Sequence, residues 1–222
     1  MLERVRGAPR ALPGPVREGA LLVVDVQAEF ADPDFLGDVP REAQVAVAAA
    51  VDEIVALVDA ARSADLEVIW IRGTASQPPW ASVLWLLGRE GFEEEGAGVC
   101  EPDTPGRAFW RVAPTDGEVV ITKERYSGFV RTDLEEILDD HHRRWVAICG
   151  LTTECCVAQT AWDAVQRDFR VVIVGDATAA YDEGMHRASL ETMAESVGIV
   201  LSAKELARAL EEGRALGSAD AT

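Results

Sequence analysis

The chain of 222 residues is 48% hydrophobic and 27% charged, with a formal net charge of −18. Its length and apolar content suit a single folded domain with a substantial core. The acidic balance excludes the basic footprint of a nucleic-acid binder, and no apolar run approaches the ~18 residues of a membrane span.

The opening stretch, MLERVRGAPRALPGPVREG, carries prolines at 9, 13 and 15 and three glycines, so residues 1–18 read as an irregular arm. It lacks the apolar core of a signal peptide. Together with only four cysteines, this predicts reduced thiols in a cytoplasmic setting.

Six short β-branched runs follow: ALLVVDV (20–26), LEVIWI (66–71), EVVIT (118–122), WVAICG (145–150), RVVIVG (170–175) and GIVLS (198–202). They do not alternate polar with apolar, as expected of strands buried on both faces of a parallel sheet. The Ala-rich stretch 41–64 reads as a helix, with Val45, Ala48, Ala49, Asp52 and Val55 at helical spacing. Thr132 and Glu135 have the spacing of a capping box, as do Ser202 and Glu205. Helical stretches at 153–168 and 182–197 follow the fourth and fifth strands. The alternation predicts an α/β fold: a three-layer, Rossmann-like, six-stranded, mainly parallel sheet with helices on both faces. This single domain spans 19–212, with 213–222 as a flexible tail.

Residues 73–117 interrupt the alternation and hold five of the ten prolines and three of the six tryptophans. A connection this long is usually functional or contains an extra element, and WASVLWLLGREGF (80–92) has the composition of a short helix. Trp80, Trp85 and Trp110 could wall a pocket, meet a partner subunit, or plug this lid onto the core.

Ligands of open parallel sheets bind outside the carboxyl ends of the strands. Asp25 closes the first strand, Lys123 the third, and Cys155–Cys156 begin the helix after the fourth. The combination is chemically coherent. A first-turn helical position favours a thiolate, and a carboxylate can take the thiol proton and return it to a leaving amine. An ammonium beside both favours the charged forms, and backbone N–H groups at the strand-to-helix turn can hold an oxyanion. Among the remaining groups, Cys149 is expected to be inert and Cys100 is a candidate for exposure. Asp176 reads as a turn-former ending the fifth strand, and His141 and His142 as solvated residues at a helix end. His186 is a candidate to approach the pocket.

Four segments, in order, resemble the isochorismatase-like cysteine hydrolases from about residue 19 to 210: LLVVDVQAEF, VVITKERYSGFVRTDLEEIL, CGLTTECCVAQTAWDA and VVIVGDATAAYDEGMHRASLETM. The resemblance implies a triad of Asp25, Lys123 and Cys156. Cys156 matches the nucleophile because Glu154, Val157 and Asp163–Ala164 occupy the family's neighbouring places, while Cys155 fills the variable slot as a small hydrophobe. It also implies a cis Leu151–Thr152 peptide, with the Thr152 and Cys156 N–H groups forming the oxyanion hole. Position in the family pattern makes Phe30, Trp80, Trp110, Tyr126, Phe129 and Tyr181 candidate substrate-binding residues.

Nicotinamidases of this family use an Asp-x-His metal motif after the second strand. Here that region reads IRGTASQPPW, and the chain has three histidines in all. No metal and no cofactor are therefore expected. KERYSGF resembles the ureidoacrylate branch, which implies cleavage of a small amide or ureido bond. The lid departs from that branch, with Arg107 in PGRAFW where other residues are usual. Two alternatives stay open: a vinyl-ether hydrolase using Asp25 as acid, and a catalytically silent binding protein. The family's habit implies a homodimer or homotetramer acting on a small molecule, with no nucleic-acid or membrane partner.

Overall fold

The computed structural model describes residues 12–74 and 99–213. Trp80, Trp85 and the helix expected at 80–92 lie outside the described residues, as do the tail and the first part of the arm.

The sheet has six strands: β1 (Gly19–Val24), β2 (Glu67–Gly73), β3 (Val119–Lys123), β4 (Trp145–Leu151), β5 (Arg170–Ala179) and β6 (Gly198–Leu201). Their order is β3-β2-β1-β4-β5-β6, and every neighbouring pair is parallel. The chain therefore winds outward from β1 in one direction, then returns to β4 and winds in the other. That reversal leaves a crevice at the carboxyl ends of β1 and β4, the place where such sheets bind ligands.

The helices are α1 (Ala28–Ala31), α2 (Arg41–Ser63), α3 (Leu134–Asp140), α4 (Ala158–Val165), α5 (Glu183–Ser196) and α6 (Ala203–Glu212). All six residues of β1 are buried. Leu21 and Val23 face a core shared with Val47, Ile54 and Leu57 of α2 and Leu206 of α6. Leu22 and Val24 face a second core with Leu134 and Leu138 of α3, Ala161 of α4 and Met193 of α5. Each large aliphatic side chain so buried contributes about 1.5–3 kcal/mol, and together the two cores make the expected three layers.

Several local expectations are corrected. Helix α2 buries Val47, Val51, Ile54, Leu57 and Val58, whereas Val45 is 58% exposed. The Ala-rich sequence offers two apolar-looking stripes, and the bulkier one takes the core. Residues 12–18 are not a loose arm: Leu12 is buried, and Trp145 donates its indole N–H to the Pro15 carbonyl at 3.0 Å. Strand β5 runs on through Asp176 to Ala179 past a register shift opposite Ile148 and Gly150. Asp176 accepts the Ala203 N–H at the start of α6 instead of ending the strand.

The capping box at Ser202 and Glu205 forms; the one at Thr132 and Glu135 does not. Thr132 turns back to the Gly128 carbonyl, and Glu135 pairs with Arg167 at 2.8 Å. His141 is not simply solvated, since its Nδ1 lies 2.6 Å from Glu67.

Candidate active site

Asp25 follows β1 with φ of 51°, a left-handed conformation uncommon outside glycine, asparagine and aspartate. Its backbone N–H bonds to the Ile71 carbonyl of β2 at 2.8 Å, which fixes the carboxylate at the sheet edge. Lys123 ends β3, two strands away, in register with Gly73 at the end of β2. A β-carbon at Gly73 would lie 3.5 Å from Asp25 Oδ1, so the glycine keeps the ground between Lys123 and Asp25 low.

After β4 the chain passes a cis Leu151–Thr152 peptide and enters a π-helical turn, Thr153–Val157, before α4. Val157 N–H reaches back to the Thr152 carbonyl at 3.2 Å. Turns of this kind recur at functional sites, and this one presents Cys156 to the crevice.

The Lys123 ammonium joins the three groups. Its Nζ is 2.6 Å from Asp25 Oδ2 and 3.3 Å from Cys156 Sγ, and it donates to the Arg125 carbonyl at 3.0 Å. Asp25 and Lys123 are 1% and 3% exposed and Cys156 is 9% exposed, so this is a dry cluster. Burial works against the Lys123 charge, but Asp25 and Cys156 outweigh it and raise the lysine above its ordinary 10.5. Neither carboxylate oxygen of Asp25 has a well-aligned hydrogen-bond donor among the described residues. The contact with Lys123 is thus a charge pair that leaves lone pairs open to accept a proton.

The two sulfurs share a hydrogen bond that raises Cys156 and lowers Cys155. Burial and the Asp25 charge push Cys156 further above 9.0, against the Lys123 ammonium. Cys156 therefore rests as a thiol, rather than as the standing thiolate that a helix N-terminus alone would favour. Cys155 is half-buried against the α3–α5 core and touches its neighbour's sulfur, so its surroundings are less separate than its sequence slot implies.

Two side chains that the sequence did not single out brace this arrangement. Gln27 is fully buried: its Nε2 donates to the Gly73 and Arg107 carbonyls at 3.2 and 3.0 Å, and its Oε1 accepts the Gly73 N–H at 2.7 Å. It locks β1, β2 and the loop carrying Arg107 together. Thr160 donates to the Cys156 carbonyl at 2.7 Å and accepts the Gly128 N–H at 3.0 Å, tying the nucleophile turn to the segment after Lys123. The signal for Gln27 was its place two residues after Asp25, on the same side of an extended chain.

The candidate substrate-binding residues separate into two groups. Tyr126, 38% exposed, and Tyr181 both feel the charge of Cys156, and the Tyr181 hydroxyl donates to the Phe30 carbonyl at 3.1 Å. These border the site. Phe129 instead packs in the core, 6.1 Å from the Phe169 ring and under the Arg167 guanidinium. Trp110 packs against the α2-side core, its N–H bonded to the Val26 carbonyl at 3.0 Å. Cys100 is buried, not exposed, and burial pushes its thiol up to about 12. Cys149 is also buried and pushed upward, out of reach of chemistry.

His186 holds Thr153 Oγ1 at 2.8 Å and lines a cavity of about 460 Å³ with Thr178, Tyr181 and Asp182. None of the three clustered groups lines that cavity, so chemistry is assigned to the crevice beside it. At the place of the metal motif stand Arg72, Gly73 and Thr74. Among the described residues no group of three or more His, Cys, Asp or Glu is placed to hold a metal ion.

The family model described as Isochorismatase domain matches residues 19–205. Ureidoacrylate amidohydrolase RutB of Azorhizobium caulinodans is 27% identical over 217 residues, covering 92% of this chain and 95% of that protein. A probable inactive nicotinamidase of Arabidopsis thaliana is 27% identical over 186 residues, covering 82% of this chain and 91% of its own length. Among solved structures, a cysteine hydrolase from Pseudomonas syringae pv. phaseolicola superposes with a TM-score of 0.78 at 26% identity, covering 93% of this chain and 99% of that one. The sheet order, the clustered site and the match over most of its length place this chain in the isochorismatase domain family.

Proposed function

We propose that this protein is a cysteine hydrolase that cleaves a small linear amide or a ureido or carbamoyl C–N bond. One observation carries the reading: a single buried ammonium, on Lys123, bridges the Asp25 carboxylate and the Cys156 sulfur. The similarity to an enzyme named as an amidohydrolase points the same way.

Asp25 accepts the Cys156 proton, and the thiolate attacks the substrate carbonyl carbon. The oxyanion that forms is held by the Thr152 and Cys156 N–H groups, donors typically worth about 2.7–4 kcal/mol of barrier each. Collapse breaks the C–N bond, and protonated Asp25 delivers the proton to the departing ammonia or amine. The acyl group remains on Cys156 as a thioester. Asp25 then takes a proton from water, hydroxide adds to the thioester, and the thiolate leaves and is reprotonated. Throughout, Lys123 keeps negative charge favourable at both partners.

This reading includes a cytoplasmic location, supported by four free thiols, Cys100, Cys149, Cys155 and Cys156. It also includes a homodimer or homotetramer, which size-exclusion chromatography with light scattering checks; a monomer would contradict it.

The function is tested by ammonia release from primary amides, N-carbamoyl amino acids and simple ureides. Release by the native protein that vanishes in Cys156→Ala is expected. Turnover retained in that variant would overturn the covalent route and favour ether hydrolysis through Asp25, and no release by the native protein would overturn the hydrolase reading for these substrates.

A further inference from the structure

Beside the reacting cluster are two arginines that nothing in the proposed chemistry uses. Arg72 precedes the last residue of β2, and Arg107 lies in the short 3-10 turn Pro105–Arg107. Both are tied to the catalytic edge through one side chain: Gln27 bonds the Gly73 carbonyl, next to Arg72, and the Arg107 carbonyl itself. Gln27 is two residues from Asp25, and the bond between Gln27 N–H and the Asp25 carbonyl is 2.8 Å.

Neither arginine forms an ion pair with a described residue. The Arg107 Nε is buried with no hydrogen-bond acceptor. Arg72 donates its Nε to Thr122 Oγ1 at 3.1 Å, a neutral partner one residue before Lys123. Glu29, the carboxylate packed against Gly106, is occupied by the Cys100 N–H at 2.9 Å. Burial and the nearby Arg107 charge lower Arg72, so the two guanidinium groups feel each other. Arg107 also acts on Cys100, which in turn feels Asp25 and Lys123, so this positive region is continuous with the reacting cluster.

Two like charges held together, one with a buried donor and no acceptor, are costly unless an anion joins them. A planar guanidinium matches a carboxylate with two parallel N–H···O bonds. We infer that Arg107, assisted by Arg72, is a recognition subsite for a substrate carboxylate, so that the preferred substrate is an anionic ureido acid. This deepens the hydrolase reading and rests on it. The ureido carbonyl would meet Cys156 while the carboxylate end of the same molecule is held by the arginines.

The test compares 3-ureidopropanoate with propylurea, in which a methyl group replaces the carboxylate. In the native protein kcat/KM should favour the ureido acid. Arg107→Gln should lower kcat/KM for 3-ureidopropanoate roughly 10- to 100-fold, chiefly through KM, the range expected for lost charged hydrogen bonds. Propylurea turnover should be unchanged, and Arg72→Gln should act in the same direction more weakly. Equal losses on both compounds would mean that Arg107 only holds its loop in place, and absence of a native preference would likewise overturn the subsite.

Calorimetric titration of Cys156→Ala separates this claim from the hydrolytic one. Binding of 3-ureidopropanoate that weakens on adding Arg107→Gln supports the subsite even if the native protein releases no ammonia. Binding no tighter than that of propylurea, or none at all, overturns it.

Discussion

Gly150 of β4 is pressed against the Val24 carbonyl of β1: a β-carbon there would lie 1.9 Å from that oxygen, and the Gly150 φ is +124°. The seam closed by this contact is the one where Asp25 leaves β1 and the Cys156 turn leaves β4. The spacing between carboxylate and thiol therefore depends on a residue with no side chain.

Gly150→Ala should consequently destabilise the fold by more than about 4 kcal/mol, since it combines a steric clash with a disallowed backbone conformation. Thermal unfolding checks this. A variant with native stability would show that the seam can open without cost.

Lys123→Met leaves the Asp25 carboxylate buried without its charge partner. Breaking a buried pair this way typically costs about 3–5 kcal/mol, and activity should fall with it. Asp25→Asn retains the shape but removes the proton acceptor, so turnover should fall roughly 100- to 10,000-fold while the melting temperature changes less than in the lysine variant. Because the Lys123 pKa is raised, the pair's contribution is complete below pH 10.5 and is lost only as pH rises through the raised value. Alkaline unfolding should therefore begin earlier in the methionine variant.

At the other end of the pH scale, Glu118 takes both ends of the Arg62 guanidinium at 2.8 Å and the Trp70 indole N–H at 2.7 Å. Arg62 chiefly, with the Thr115 and Trp70 N–H donors, holds its carboxyl down at about 2. A depressed carboxylate stabilises the fold above its ordinary 4.5 and loses that contribution as pH falls toward 2. Glu118→Gln should cost about 2 kcal/mol at neutral pH and flatten the acid limb of stability between those values. An unchanged acid limb would assign acid unfolding to other groups.

Cys155→Ala removes the hydrogen bond that heads the causes raising Cys156. Alkylation of Cys156 by iodoacetamide should then reach half-maximal rate at lower pH than in the native protein. A shift to higher pH would mean that the Cys155 contact activates Cys156 instead of restraining it.

The layered fold was legible because β1 and β4 are continuous apolar runs, and Asp25, Lys123 and Cys155–Cys156 stood at strand ends where such sheets bind ligands. What the sequence hid were relationships decided by packing. The stripe through Val45 looks as helical as the one through Val47 and Ile54, and only bulk against the sheet separates them. Phe129 sits within the lysine segment, yet Phe169 and Arg167 draw it into the core. Gln27 reads as one polar residue in a turn until Gly73 and Arg107, 46 and 80 residues away, are brought to its carboxamide.

The central claim, that Cys156 and not Cys155 carries the covalent step, is tested most directly by acid-quenching turnover and locating the acyl group by peptide mass spectrometry. The account predicts a thioester on Cys156 in the native protein and in Cys155→Ala, with none in Cys156→Ala. An acyl group on Cys155, or steady turnover without any adduct that persists in Cys156→Ala, would contradict it.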